Sequence, residues 1–168
     1  MPLLSGIQLI KQAKKPQQFI PCFDISGGNV DMLHAICEKL AQRGSSAFLS
    51  STPSSIKDYF VFSHFIKTVE DIADKYNVNV APHLDHATTV EAIDRSLSVG
   101  FTSVIFDGSK YDFKKNIKLT RDIVNKAHKH GASVEGELGI IGGKEDEIVS
   151  DLSSFPILEE ALTFISET

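Results

Sequence analysis

The sequence lacks any apolar run that approaches the roughly 20 residues needed to span a bilayer. Its start, MPLLSGIQLIKQAKK, has no positively charged opening, continuous apolar stretch and cleavage site of the kind that signal peptides have. It also lacks a basic excess, because 17 lysines and arginines stand against 22 aspartates and glutamates. The lysines are scattered, so we expect no nucleic-acid partner and no membrane partner. A cytosolic protein is the expectation.

Cysteine is scarce, with only Cys22 and Cys37. Cys22 falls in a stretch typical of a strand and Cys37 on the apolar side of a predicted helix, so we expect two reduced core residues rather than a disulfide or a metal pair. The chain of 168 residues is 42% hydrophobic and 23% charged. These values are ordinary for globular proteins and predict a single domain over residues 1–168.

Short β-rich runs alternate with segments of helical period. Strands are predicted near 19–24, 46–50, 79–84, 103–107 and 133–138. Helices are predicted at 29–44, 58–76, 89–100, 113–131 and 155–168, after a short amphipathic helix in the first 15 residues. Three of the helices end at glycines, Gly44, Gly100 and Gly131, which accept the left-handed conformation that stops a helix.

Strands separated by helices predict a parallel sheet, because parallel neighbours need crossover connections. The fold class is therefore α/β. Two architectures fit the pattern: an open, doubly wound sheet of five strands, or the first five βα units of a (β/α)₈ TIM barrel, which typically needs about 250 residues. Periodicity alone does not choose between them.

Polar side chains follow each predicted strand at its carboxyl end. They are Asp24, Ser50, Ser51, Asp85, His86, Asp107 and Glu137. In both architectures the carboxyl ends share one face, where ligands bind. His86, Asp107 and Glu137 have the composition of a divalent-metal site, since imidazole suits zinc and carboxylates accept zinc or a harder cation. A catalytic zinc normally has three protein ligands and an open position.

Each of these residues also has an ordinary structural interpretation. Asp85, Thr88 or Thr89 could cap the next helix, and Asp107 could serve a turn. Glu137 could be a solvated strand end, and His83 a hydrogen-bonded core histidine. Taken singly these interpretations are favoured, but the coincidence of several such residues on one face favours a site.

The segment IIGGKEDEI, residues 140–148, is a charged loop attached to this face. One interpretation is a solvated surface loop. The other is a lid that carries a carboxylate over a bound ligand. We expect its glycines to make it mobile without ligand.

The segment from APHLDHATT to GGKED closely resembles the class II, metal-dependent ketose-bisphosphate aldolases, a family that includes the fructose-1,6- and tagatose-1,6-bisphosphate enzymes. The resemblance rests on HLDH, FTSVIFDGS, NI..T...V..AH..G..VE.ELG and GGKED, in that order. It implies a TIM barrel, of which this chain supplies about the first five units, with Zn²⁺ at the carboxyl-end mouth.

The resemblance also implies a role for each matching residue. His86 falls on the first zinc ligand, and Asp85 on the catalytic acid that serves the aldehyde oxygen. Asp107 and Glu137 match carboxylates beside the metal, where a second divalent or monovalent cation also fits. Glu145 matches the mobile-loop carboxylate proposed as the base at the triose-phosphate carbon.

The implied reaction is zinc-dependent cleavage of a ketose 1,6-bisphosphate to dihydroxyacetone phosphate and glyceraldehyde 3-phosphate. It needs no Schiff-base lysine, and no predicted strand supplies one. The substrate would be a phosphorylated sugar, fructose or tagatose bisphosphate, and the full-length family members form dimers or tetramers. The two later zinc histidines of the family lie beyond Thr168, so we expect the 168-residue chain alone to be inactive.

Two other functions remain open from the sequence. One is a noncatalytic half-barrel subunit, or an interaction protein derived from the same family. The other is a complete five-stranded domain that binds a small phosphate ligand. The second would need a glycine-rich loop after the first strand, and SGGN at 26–29 is short for that purpose.

Overall fold

Five parallel strands form one sheet, and they lie side by side in the order in which they occur along the chain. The computed structural model describes residues 3–13, 19–25, 29–55, 59–140, 143–145, 148–150 and 155–168, and for 59–62, 143–145 and 148–150 it describes only the backbone. The strands are β1 (Cys22–Asp24), β2 (Ala47–Ser51), β3 (Val80–Ala87), β4 (Ser103–Phe106) and β5 (Ser133–Gly136).

Helices separate these strands. They are α1 (Gly6–Lys11), α2 (Val30–Arg43), α3 (Tyr59–Tyr76), α4 (Val90–Val99), α5 (Phe113–Lys129) and α6 (Leu158–Glu167). Every predicted helix and strand is present, with ends shifted by a few residues. In the described part of the chain, no helix is both long and apolar enough to cross a membrane.

The helix ends follow local chemistry. Thr89 caps α4 by accepting a hydrogen bond from the Ala92 backbone N–H, so Asp85 is not needed as a cap. Gly44 and Gly100 cap the ends of α2 and α4 in the left-handed conformation, as predicted. At the end of α5 the cap is His130, and Gly131 follows it with φ of 71°.

Alternate strand residues face the helices and form one apolar core. Leu49, Leu84, Val104 and Phe106 belong to a buried cluster that also includes side chains from α2 to α5. From α2 to α6, helices that follow one another along the chain contact each other around this side of the sheet. A doubly wound sheet would instead carry helices on both faces. The arrangement is therefore that of five consecutive units of a (β/α)₈ barrel.

The opposite face of the sheet is covered at its amino end by α1. Leu4 donates its backbone N–H to the Val80 carbonyl, and Thr102 donates its hydroxyl to the Leu4 carbonyl. Gly6 lies so close that an added Cβ would be 2.7 Å from Ser133 Oγ and 2.9 Å from the Phe48 ring. Helix α1 thus closes the end of the sheet opposite the carboxyl ends of the strands.

Two sequence predictions about the fold are wrong. Cys22 is exposed, because among the described residues β1 has a sheet neighbour only on its β2 side. Cys37 is buried as predicted, and burial raises the pKa of its thiol to about 11. In the predicted charged loop, the backbone forms an antiparallel hairpin of β6 (Gly143–Glu145) and β7 (Ile148–Ser150).

Candidate metal centre

Strand β3 is longer than predicted and includes both Asp85 and His86. Its pairing with β4 shifts register between Leu84, which pairs with Val104, and Ala87, which pairs with Phe106. Three steps along β3 therefore match two steps along β4, so β3 contains one extra residue, as in a β-bulge. His86 has a φ of 50°, in the left-handed region that few residues other than glycine adopt.

The bulge explains how two adjacent strand residues reach the same face. In a regular strand Asp85 and His86 would point to opposite faces. Leu84 and Ala87 both belong to the core between sheet and helices. The two residues between them lie on the other face, where the Asp85 Oδ1 and His86 Nε2 atoms are 3.9 Å apart. The irregularity thus brings an acid and an imidazole together at the mouth of the sheet.

The left-handed conformation of His86 should have a measurable effect on stability. We expect the free energy of unfolding of the metal-free His86→Gly variant to exceed that of His86→Ala by about 1 kcal/mol, because both lack the imidazole and only glycine adopts this φ without strain. Urea denaturation of the two variants measures the difference. Alanine equal to or more stable than glycine would mean that the bulge is not strained.

Three side chains from three strand ends converge beside this bulge. One potential ligand atom from each of His86, Asp107 and Glu137 lies within 4.8 Å of the other two. His86 Nδ1 is 3.6 Å from Glu137 Oε2. The His86 side chain is 23% exposed and that of Glu137 is 11% exposed. The interpretation of Glu137 as a solvated strand end does not hold at this exposure.

Asp107 is the most buried member of the cluster, with 3% exposure. Its backbone N–H donates to the Ala87 carbonyl, and its carboxylate accepts a hydrogen bond from the Ser109 N–H at 2.9 Å. The turn role considered from the sequence is therefore present. It does not exclude a ligand role, since a carboxylate can accept several interactions.

His83 lies deeper on the same face and has a structural role. Its Nδ1 is 2.9 Å from Ser103 Oγ, and its ring packs edge-on against Phe48. Burial lowers the pKa of His83, while the Asp85 carboxylate opposes the shift. A lowered pKa favours the neutral ring, which suits a hydrogen bond to a hydroxyl. The interpretation of His83 as a hydrogen-bonded core histidine is confirmed.

The remaining strand-end residues lie outside this cluster of potential metal ligands in the part of the chain that the structure describes. Asp24 is exposed, whereas Ser50 and Ser51 are buried. Glu145 belongs to β6, but its side chain is outside the described residues, as are Asp146 and Glu147. The prediction that residues 140–148 carry a mobile base therefore stays a prediction.

The donor set of the cluster fits a divalent cation. One imidazole and two carboxylates suit zinc, and the carboxylates also accept harder cations. The donor atoms already lie near one another and come from strands fixed by sheet hydrogen bonds, so little rearrangement is needed to gather them around an ion. Asp85 stands next to the cluster without belonging to it, which leaves its carboxylate available to a ligand.

The arrangement of strands and side chains agrees with comparisons to known proteins. A family model described as "Fructose-bisphosphate aldolase class-II" matches residues 5–168. The chain belongs to this aldolase family. The fructose-bisphosphate aldolase of Helicobacter pylori (strain ATCC 700392 / 26695) is 34% identical over 169 residues, which are 99% of this chain and 54% of that protein.

Solved aldolase structures show the same fold. The YdjI aldolase from Escherichia coli K12 superposes with a TM-score of 0.77 and 26% identity over 99% of this chain and 62% of that one. The fructose-bisphosphate aldolase from Campylobacter jejuni, with a TM-score of 0.72 and 21% identity over 82% of this chain and 47% of its own, supports the fold alone. The predicted (β/α)₈ barrel, of which this chain supplies about the first five units, is confirmed.

The match to the curated aldolases covers only part of their length. The chain spans about half the length of the curated aldolases that it matches. Class II aldolases are typically metal-dependent and act on phosphorylated sugars, which agrees with a cluster of metal-type ligands at the mouth of the barrel segment.

Proposed function

We propose that this chain forms the amino-terminal part of a metal-dependent aldolase active site, which cleaves a ketose 1,6-bisphosphate between carbons three and four. The products would be dihydroxyacetone phosphate and glyceraldehyde 3-phosphate. The observation that carries the proposal is the convergence of His86, Asp107 and Glu137 next to Asp85. Fructose bisphosphate is the first substrate to test because the family is named for it, and tagatose bisphosphate differs at one stereocentre.

His86, Asp107 and Glu137 would hold Zn²⁺, and the two carboxylates could also hold a second divalent or monovalent cation. When bound there, such a cation would supply positive charge to offset the negative charge that develops as the carbon–carbon bond breaks. The three side chains would need little rearrangement when a cation binds, because their positions are fixed beforehand. Their strands are joined by sheet hydrogen bonds, and Asp107 is further held by the Ser109 N–H.

Asp85 would move the proton on the oxygen that becomes the aldehyde. Its side chain is 32% exposed, so a substrate can reach it, and it lies beside His86, a member of the cluster of potential ligands. In cleavage Asp85 removes the hydroxyl proton as the bond breaks, and in condensation it returns the proton. Glu145 would exchange the second proton, at the triose-phosphate carbon, from the segment after β5.

The remaining parts of the proposal concern the complete enzyme. A second and a third histidine ligand, and the phosphate contacts, would come from chain segments outside residues 1–168. The complete enzyme would be a cytoplasmic homodimer or homotetramer. Residues 1–168 would constitute one domain.

A noncatalytic half-barrel that binds a partner chain is the second candidate. The observation in its favour is the free edge of the described sheet, where β1 pairs only with β2 and β5 only with β4. Phe19, which precedes β1, is 92% exposed, and Phe23 within β1 is 37% exposed. Apolar side chains beside an unpaired strand edge favour association with another polypeptide.

Metal titration of residues 1–168 separates the two candidates. We expect one Co²⁺ or Zn²⁺ per chain to bind weakly, and His86→Ala to weaken binding by more than about tenfold, because the imidazole is the only nitrogen donor of the cluster. Co²⁺ absorption and Zn²⁺ competition with a chromophoric chelator measure the two affinities. His64→Ala, on the exposed side of α3, is the control. Equal affinities in all three chains would favour the interaction protein.

A further inference from the structure

Asn116 is a buried polar side chain that no part of the proposed reaction uses. It lies in the first turns of α5, below the mouth of the barrel segment, and is 3% exposed. Its Nδ2 donates to the Glu137 backbone carbonyl at 2.9 Å, and its Oδ1 accepts from Thr120 Oγ1 at 3.1 Å. An amide buried this deeply must keep its hydrogen bonds, so its orientation is fixed.

The backbone of Glu137 continues the sheet by one residue beyond β5, and both of its polar groups are hydrogen-bonded. Glu137 donates its backbone N–H to the Phe106 carbonyl at 3.3 Å, although β5 ends at Gly136. Beyond Phe106 the chain turns away at Asp107, whose own N–H is engaged by the Ala87 carbonyl. The Asn116 side chain therefore provides the donor that a neighbouring strand would otherwise provide for Glu137. It fixes the backbone from which that carboxylate projects.

The same amide also meets the loop that carries Asp107. A Cβ added to Gly108 would lie 2.0 Å from Asn116 Oδ1, which means that the Gly108 backbone packs directly against the amide. The turn that follows is closed by the Asp107 carboxylate on the Ser109 N–H and by the Tyr111 N–H on the Gly108 carbonyl. One side chain thus touches both backbone segments that carry the carboxylates of the metal cluster.

We propose that Asn116 is a positioning residue that sets the separation of the Asp107 and Glu137 carboxylates, and that the Thr120 hydroxyl holds the amide in the required orientation. The amide must point its NH₂ group at Glu137 and its oxygen at Thr120, since the reverse orientation would place two acceptors against each other at the Glu137 carbonyl. The inference rests on the proposed metal site. It gives Asn116 and Thr120 a positioning role, although neither residue is a potential metal ligand or a catalytic group.

The first test measures metal affinity. Asn116→Ala and Asn116→Asp should each weaken Co²⁺ binding about 10- to 100-fold, the usual effect of losing a residue that orients a ligand. Thr120→Val should weaken it, whereas Thr120→Ser, which keeps the hydroxyl, should not. Combining Asn116→Ala with Glu137→Gln should cost less than the sum of the single effects, because both act through the same ligand. Ile123→Val, a buried change on the same helix, is the control for lost stability.

A second test needs no metal. Amide hydrogen exchange in the metal-free Asn116→Ala chain should be faster at both residues 107–109 and residues 137–139, and unchanged there in Ile123→Val. Exchange that is unaltered at either loop overturns the inference, whatever happens to metal binding. If the parent chain shows no binding that depends on His86, the proposed metal site fails, and the exchange result still decides the role of Asn116. Unchanged affinity in Asn116→Ala with a working site overturns the inference alone.

Discussion

In a complete barrel, replacing Asp85 with alanine should lower the rate of aldol cleavage by about 10²- to 10⁴-fold, while the zinc affinity stays within about threefold of that of the parent. The expected contrast is His86→Ala, which should lose both zinc and turnover. The two residues are adjacent, with side chains 3.9 Å apart, yet only His86 belongs to the cluster of potential ligands. The difference therefore tests whether acid and metal ligand are separate functions.

The assay needs a complete barrel. A chimera in which residues 1–168 replace the matching part of the Helicobacter pylori aldolase provides one, because the match covers 99% of this chain. Cleavage of fructose and tagatose bisphosphates is measured after chelation and zinc return, and bound zinc is measured by elemental analysis. Asp122→Ala, an exposed carboxylate on α5, removes the same charge and should leave both quantities unchanged. Equal zinc loss in Asp85→Ala and His86→Ala would contradict the assigned roles.

The polypeptide of residues 1–168, purified alone, should have no measurable turnover and should associate in solution. The described cluster offers a single imidazole beside two carboxylates, whereas catalytic zinc sites usually combine at least two histidine or cysteine ligands, so we expect weak zinc binding. Within the described sheet β1 and β5 each have one unpaired edge, and exposed edges pair with other chains. The expected loss relative to the chimera is at least 10³-fold in cleavage rate.

Light scattering coupled to size-exclusion chromatography measures association. The cleavage assay at saturating zinc measures turnover. A matched preparation with the remaining part of the Helicobacter pylori enzyme supplied in trans is the control, and it should reduce association by occupying the edges. Zinc-dependent cleavage by a well-behaved monomer of residues 1–168 would show that the proposed contribution of further segments is not essential.

The order of the helices and strands could be predicted because apolar periodicity and helix-ending glycines such as Gly44 and Gly100 are local features. Asp107 and Glu137 directly follow apolar runs, and this position predicts a site at the carboxyl ends of the strands. The choice between open sheet and barrel did not follow, since it depends on which faces the helices cover. Only the observed positions of the helices, or the family resemblance, distinguish the two architectures.

Other features depend on contacts that no local pattern encodes. The bulge at His86 breaks the two-residue alternation that identifies a strand, so the sequence predicts that β3 ends too early. The apolar neighbours of Cys22 predict a buried side chain, whereas its exposure depends on which strands flank β1. The motif NI..T begins with Asn116, but the sequence alone indicates no positioning role for this residue. An asparagine inside an apolar helix face was the available signal.

Helix α1 has a consequence for the order in which the chain acquires its structure. Its capping box, in which Ser5 and Gln8 exchange hydrogen bonds, is complete within four residues and can form as soon as they exist. Its docking surface includes Ser103 and Ser133, which are synthesised more than ninety positions later. Closing so long a loop is entropically costly and slow. The docking surface of α1 is therefore complete only after strand β5 has joined the sheet.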